Sequence, residues 1–251
     1  MRVLGLDIGS RSVDAVWLED GRIVDWAVAD SGFDPGSAAA VFVERNAHDA
    51  IVSTGYGRHG ARERFGGTAV TEITAYGVGA ARLFPHAFSV LDIGGQDTKV
   101  ISLGPGGKVT DFEMNDKCAA GTGKFLEVMA RALGFSLEEM AEQGIAASTG
   151  VSISSMCTVF AESEVTGLVH RGEDRARIAR GLHESIAKRT LSSLKRVNAR
   201  GPLVFAGGVA KNPAMVALIS EGFEGDVLVP EEAQTVGALG AALSLGAAAH
   251  Q

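Results

Sequence analysis

Two aspartates and the glycine turns that follow them are the first residues in this sequence able to do chemistry. Asp7 closes an apolar run and is followed by Ile8-Gly9-Ser10; Asp92 closes a second such run and is followed by Ile93-Gly94-Gly95-Gln96-Asp97. A glycine turn exposes backbone N–H groups with no Cβ in the way, which is how main chain approaches phosphate oxygens. A carboxylate at the strand end beside it is suited to holding a hydrated Mg2+. Presented twice, face to face, the pair leaves room for a nucleoside triphosphate, so ATP or ADP with Mg2+ is the expected ligand. A third corner, Val204-Phe205-Ala206-Gly207-Gly208-Val209-Ala210-Lys211-Asn212-Pro213, runs from an apolar strand through Gly-Gly into a helix opened by Pro213. Proline suits the first helical position, and the corner gives a flat base some backbone to lie against. The run Ala120-Gly121-Thr122-Gly123-Lys124 imitates a phosphate loop but lacks two of its parts. Cys118 stands where the first glycine is required, and Phe125 follows the lysine in place of Ser or Thr.

These motifs sit on a repeat. Leu6-Asp7-Ile8-Gly9 aligns with Leu91-Asp92-Ile93-Gly94, and the register continues through Val16 with Ile101, Leu18 with Leu103, Gly21 with Gly106 and Val24 with Val109. Each copy reads as strand, turn, strand, turn, strand, with Asp20-Gly21 and Pro105-Gly106-Gly107 as hairpin turns. Helices are expected over 37–45 and 72–83 with a strand over 50–54, then over 123–133, 174–197 and 213–220 with strands at PLVFAG and DVLV. The economical architecture is α/β, two related halves around a nucleotide cleft. The first half covers 1–86 and the second 87–233, with an Ala/Gly helix over 234–251 packing back on the first.

Composition narrows the classes. A chain of 251 residues, 46% hydrophobic and 21% charged, is too apolar to be disordered and long enough to bury a core without staples. Its 33 glycines follow no collagen period and must mark turns and close backbone approaches. A net charge of −7, with no long basic run, argues against nucleic acid as a partner. The opening MRVLGLDIGS reads as a strand and not a secretion signal, so a cytoplasmic location is expected. The uncharged stretch from Ala233 onward is built of Ala and Gly, which suits a buried helix and not a membrane span. Two cysteines, Cys118 and Cys157, are too few for a disulfide framework.

The three glycine motifs resemble the phosphate-1, phosphate-2 and adenosine motifs of the actin, Hsp70 and sugar-kinase superfamily. That resemblance implies actin-like, ribonuclease H-like halves, and kinases, chaperones and filament proteins all share it. The cysteine segments discriminate further. Asn115-Asp116-Lys117-Cys118-Ala119-Ala120-Gly121-Thr122-Gly123-Lys124-Phe125-Leu126-Glu127 and Ser154-Ser155-Met156-Cys157-Thr158-Val159-Phe160-Ala161-Glu162-Ser163-Glu164-Val165 resemble the cluster-binding segments of the activator family of 2-hydroxyacyl-CoA dehydratases. That family includes ATP-binding subunits of benzoyl-CoA reductase and reductases of double-cubane cluster proteins. The resemblance spans roughly 2–245. It implies a homodimer that holds one 4Fe–4S cluster between its subunits, takes an electron from a ferredoxin or flavodoxin, and passes it on with ATP turnover to a partner's iron–sulfur centre. A cubane needs four thiolates and one chain supplies two, which twofold symmetry doubles. Each cysteine also precedes an expected helix, near 123 and 158, whose positive end would favour thiolate. The segment 115–165 is then the cluster-binding insertion of the second half.

On this reading Asp7 and Asp92 hold water-ligated Mg2+, while Gly9, Ser10, Ser12, Gly94 and Gly95 border the phosphates. Gln96 and Asp97 orient the attacking water. Gly207, Gly208, Val209 and Asn212 border the adenosine, with Pro230 and Glu231 as outer neighbours. Lys124 and Glu127 read as solvated, and the six histidines receive no role. There is one departure from the family pattern: Lys99 follows Gly94 by five residues, but the corresponding position of the first hairpin, usually lysine, is Asp14. A carboxylate cannot hold phosphate, and Arg11 is the expected replacement because guanidinium pairs well with phosphate oxygens. A small-molecule kinase of the same fold and a non-catalytic nucleotide-binding regulator are the competing classes. The acceptor could be a dehydratase, an aromatic-ring reductase or a double-cubane protein.

Overall fold

A computed structural model describes residues 1–154 and 157–245. The chain opens with a meander of β1 (Arg2–Ile8), β2 (Ser12–Glu19) and β3 (Arg22–Asp30). It turns between β2 and β3 at Asp20-Gly21, both with positive φ, as a tight hairpin requires. Helix α1 (Pro35–Arg45), β4 (Ala50–Thr54), α2 (Arg58–Phe65), β5 (Thr68–Ala69) and α3 (Glu72–Leu83) follow. The pattern then restarts with β6 (Ser89–Ile93), β7 (Thr98–Leu103) and β8 (Val109–Asn115). After four helices, α4 (Gly123–Leu133), α5 (Leu137–Ala146), α6 (Thr158–His170) and α7 (Arg175–Arg196), it closes with β9 (Leu203–Ala206), α8 (Pro213–Gly222), β10 (Val227–Leu228) and α9 (Val236–Leu243).

The two sheets have one topology: β3-β2-β1-β4-β5 and β8-β7-β6-β9-β10, with β4 parallel to β1 and β9 parallel to β6. The registers also agree, since Asp7 lies opposite Asp14 across the first hairpin and Asp92 opposite Lys99 across the second. These are the two related α/β halves expected from the repeat, in the actin-like form that the motif resemblance implies. The central strands β1 and β6 are buried almost throughout because both sheet faces are covered.

What covers them differs from the expected partition. On one face of the first sheet, Leu4, Leu6 and Ile8 pack against Phe42 of α1 and Ala61 of α2; on the other, Val3, Val16 and Val52 pack against Ala238, Leu239 and Ala242 of α9. On the second sheet, Leu91, Ile93 and Phe205 meet Phe125 of α4 and Ile186 of α7, while Val90, Ile101 and Val204 meet Tyr76 and Ala80 of α3. So α3, which falls within 1–86, lies on the second sheet, and α9 lies on the first. The two helices cross where both lack side chains: a Cβ on Gly79 would strike the Val236 carbonyl, and one on Gly240 the Ala75 carbonyl.

The helical part of the C-terminal segment ends at Leu243, and 246–251 lies outside the described residues. Helix α1 begins two residues before the expected 37, because Asp34 caps it and Pro35 takes its first turn. Helices α2 and α5 were not anticipated, although Ser136 and Glu139 form a full capping box at the start of α5. Among the described residues no helix is long and apolar enough to cross a membrane.

The crossing predicts a graded mutational response. Gly240→Val should lower the melting temperature by roughly 2–12 °C, since overpacking costs about 1–3 kcal/mol and 1 kcal/mol is worth about 2–4 °C in a chain this size. Gly60→Ala, on α2 with open space around it, should leave it unchanged or slightly raised. Thermal denaturation followed by circular dichroism checks both, and equal melting temperatures for the two variants would remove the crossing as a constraint.

Candidate active site

Between the two sheets lies a cleft of about 470 Å3. Its floor is the pair Asp7 and Asp92, both buried, at the ends of β1 and β6. The same device seats each. Gly55 after β4 (φ +86°) has no room for a Cβ because Asp7 Oδ1 and the Ile8 carbonyl stand there; Gly207 after β9 (φ +85°) is hemmed in by Asp92 Oδ1 and the Ile93 carbonyl. Only glycine combines that φ with that clearance.

Above the floor, each glycine turn closes on itself. The Gly9 N–H donates to the Ser12 carbonyl at 2.9 Å and the Gly94 N–H to the Asp97 carbonyl at 3.0 Å. Those two amides are therefore spent, contrary to the expectation that they meet phosphate, and the N–H groups of Ser10 and Gly95 remain for that purpose. The carbonyls of the second turn are occupied too: Gly123 N donates to Gly94 O at 2.9 Å and Lys124 N to Gly95 O at 2.8 Å. The start of α4 thus buttresses the turn, and its positive end faces Gly94 and Gly95 instead of Cys118.

Charge is unevenly distributed over the floor. Lys99 is fully buried, and its Nζ donates to Asp92 at 2.9 Å and Asp97 at 2.8 Å and pairs with Glu72 of α3 at 3.0 Å. It also lies 5.3 Å from the Tyr76 ring centroid. Burial alone would lower its pKa, but the three carboxylates outweigh burial and hold it well above the ordinary value. Lys99 therefore holds carboxylates, not phosphate. Among the described residues the first half has no such cation: Asp14 stands opposite Asp7, hydrogen-bonded by Ser12 Oγ at 3.1 Å, with Oδ1 unpartnered. Burial raises Asp14 to about 7, and burial plus the Asp14 charge push Asp7 well above the carboxylate range. Asp92 Oδ1 is also unpartnered.

Arg11 does not fill the gap. It lines the cleft, but its Nη1 pairs with Asp30 at 2.5 Å and its Nε with Glu127 of α4 at 2.7 Å. Glu127, expected to be solvated, is the partner that spends this charge. Ser10, Ser12, Gly95, Asp97, Gly208, Val209 and Asn212 all line the cleft, whereas Gln96, Pro230 and Glu231 do not, and Gln96 is exposed. Asn212 caps α8, accepting from Met215 N at 3.0 Å, while its Nδ2 meets buried His183 Nε2 at 3.1 Å. Helix α5 contributes Leu137, Glu138, Ala141 and Glu142 to the lining, and Tyr56 and Lys211 also line the cleft. Sequence reasoning passed over all of these. The legible signals were the Ser136 capping box and Gly55, the first-half counterpart of Gly207.

Both cysteines are exposed. Cys118 sits in the loop between β8 and α4, where Asn115 Nδ2 donates to the Cys118 carbonyl at 2.8 Å and Thr98 Oγ1 to the Gly121 carbonyl at 2.9 Å. Cys157 is the N-cap residue of α6, followed by exposed Val159 and Phe160. Ser155 and Met156 of the second cysteine motif lie outside the described residues. Among the described residues no three His, Cys, Asp or Glu side chains are grouped to hold a metal ion.

Twin sheets of actin topology, with a buried aspartate from each at the floor of a shared cleft, define a nucleotide-hydrolysing protein of the actin-like fold. The chain belongs to the BadF/BadG/BcrA/BcrD ATPase family, whose model matches residues 4–244. It is 42% identical over 252 residues to the activator of lactoyl-CoA dehydratase from Anaerotignum propionicum, covering 97% of this chain and 96% of that protein. Its fold matches the crystal structure of (R)-2-hydroxyglutaryl-CoA dehydratase component A from Acidaminococcus fermentans with a TM-score of 0.91 and 37% identity over 99% of each chain. It also matches the activator of 2-hydroxyisocaproyl-CoA dehydratase from Clostridium difficile, solved with bound ADPNP, with a TM-score of 0.88 and 36% identity over 99% of this chain and 96% of that one.

The Asp14 environment has a pH signature. Because folding raises its pKa, the folded state holds the Asp14 proton more tightly, and that contribution to stability is lost as pH rises from the ordinary carboxylate range to about 7. Each pH unit in that window costs up to about 1.4 kcal/mol. Asp14→Asn should therefore raise the melting temperature at pH 8 and give a smaller gain at pH 5; a gain independent of pH would show that Asp14 is not a buried, strained charge.

Proposed function

We propose that this ATPase is the electron-donating activator of a 2-hydroxyacyl-CoA dehydratase, working as a homodimer in the cytoplasm with a ferredoxin or flavodoxin as its reductant. The observation that carries this is the connection between the nucleotide turn and the loop bearing Cys118. Gly94 and Gly95 accept the first two amides of α4, and the short segment leading into α4 is the Cys118 loop, pinned to β7 and β8 by Thr98 and Asn115. Movement of that turn on nucleotide binding therefore reaches the thiol through a few hydrogen bonds, not a flexible linker.

The site fits Mg-nucleotide. The Asp7 carboxylate accepts no hydrogen bond among the described residues and Asp92 Oδ1 has no partner, so both are free to hold the water shell of an Mg2+ between them. The cation would supply charge neutralisation along the phosphates. Asp97, its Oδ2 held by Lys99 and its Oδ1 close to Gly94, would orient the attacking water. Ser10 and Gly95 offer amides to the phosphates, and Gly207, Gly208 and Asn212 border the adenosine.

The cysteine pair fits a shared cluster. Two exposed thiols per chain, with no third ligand grouped beside either, are half of what a cubane requires, and a second copy supplies the rest. A 4Fe–4S cluster held by both Cys118 and both Cys157 residues would supply one-electron chemistry. Cys157 is the N-cap residue of α6. Exposed Val159 and Phe160 flank it and would be covered by the second subunit.

Oxygen-free preparation should yield a brown dimer with about four irons per two chains. Cys118→Ser and Cys157→Ser should each abolish the visible absorbance while retaining Mg-dependent ATP hydrolysis. Asp7→Asn should do the reverse, losing at least about 100-fold in hydrolysis through the weakened metal and phosphate contacts, with the chromophore kept. Unchanged iron content in both cysteine variants would sink the shared-ligand reading.

A further inference from the structure

We propose that Lys211 is the cation that holds the nucleotide phosphates in this protein, replacing the positive charge absent at Asp14. The inference rests on the nucleotide reading above and names a residue for it. Eight carboxylates and three cations line the cleft, so a polyphosphate enters a strongly negative space and needs whatever positive charge is free. Arg11 is held by Asp30 and Glu127, and Lys99 by three buried carboxylates. The Lys211 side chain makes no hydrogen bond or ion pair among the described residues. It alone of the three can change partners without breaking an ion pair.

Its root is fixed and its head is free. Lys211 ends the 3-10 turn Gly208–Lys211, directly after the glycine whose missing Cβ makes room for Asp92. The next residue is anchored three ways: Asn212 N donates to the Val209 carbonyl at 2.9 Å, Asn212 Oδ1 caps α8, and Asn212 Nδ2 binds His183. At this position Lys211 is exposed and lines the cleft. Its field reaches the opposite floor, where the Lys211 charge acts to lower the pKa of Asp14. Asp14 in turn has an unpartnered Oδ1. In the empty cleft Lys211 and Asp14 are therefore attracted across the gap, and a phosphate group arriving between them is a better partner for the ammonium than a carboxylate that is itself poorly solvated. A solvated surface lysine with no ligand role is the competing account, and the two differ in what they predict for phosphate and for nucleoside.

Titration calorimetry of the full-length protein with ADP in the presence of Mg2+, and displacement of a fluorescent ADP analogue by adenosine, separate them. Lys211→Gln should weaken ADP by about tenfold or more, the scale of one charge-assisted hydrogen bond, and leave adenosine displacement unchanged. Lys211→Arg should restore most of the ADP affinity, and Arg11→Gln should change it less than Lys211→Gln does. Equal ADP affinity in wild type and Lys211→Gln, or equal loss for ADP and adenosine, would overturn the assignment while leaving the nucleotide site intact. Wild-type protein that binds no ADP would overturn the nucleotide reading itself.

Discussion

The structure is organised around a buried ammonium. Lys99 has almost no contact with solvent, and an isolated charge there would cost several kcal/mol. Asp92 from β6, Asp97 from the glycine turn and Glu72 from α3 must all converge on it, and each comes from a different element. Satisfying that one group fixes the turn conformation, the orientation of the floor carboxylate and the seat of α3 against the second sheet. Removing the ammonium would leave three carboxylates around a buried site without their common partner, so the network specifies geometry more than it adds stability.

The first half repeats the backbone without repeating the charge. Asp14 occupies the register position of Lys99, and among the described residues no cation forms an ion pair with Asp7 or Asp14. Two halves of one fold thus present unlike electrostatics to the cleft between them, one with a buried ammonium among its carboxylates and one without. The asymmetry is one of charge, since the two glycine turns close with the same backbone hydrogen bond, Gly9 N to Ser12 O and Gly94 N to Asp97 O.

Much of this was readable from residues. The twin strand-end aspartates, the meander register and the Gly207 corner have local signatures, because apolar alternation and glycine turns report backbone needs directly. What escaped reading was set by partners far apart in the chain. Nothing beside Arg11 announces Glu127, which reaches it from a helix 116 positions downstream. Gly55 carries its role through an absent Cβ beside Asp7, a purely three-dimensional fact. The exchange of α3 and α9 between sheets was only half foreseen, since both helices are apolar and small enough at their contact surfaces to suit either sheet.

That exchange bears on how the molecule comes into being. The inner face of the N-terminal sheet gains its cover from Ala238, Leu239 and Ala242, so a ribosome must deliver nearly the whole polypeptide before the first-made strands can bury their valines. Until then they remain open to water and to chaperones. The lobes are accordingly neither separable building blocks nor sequential folding units, and acquire their interiors together.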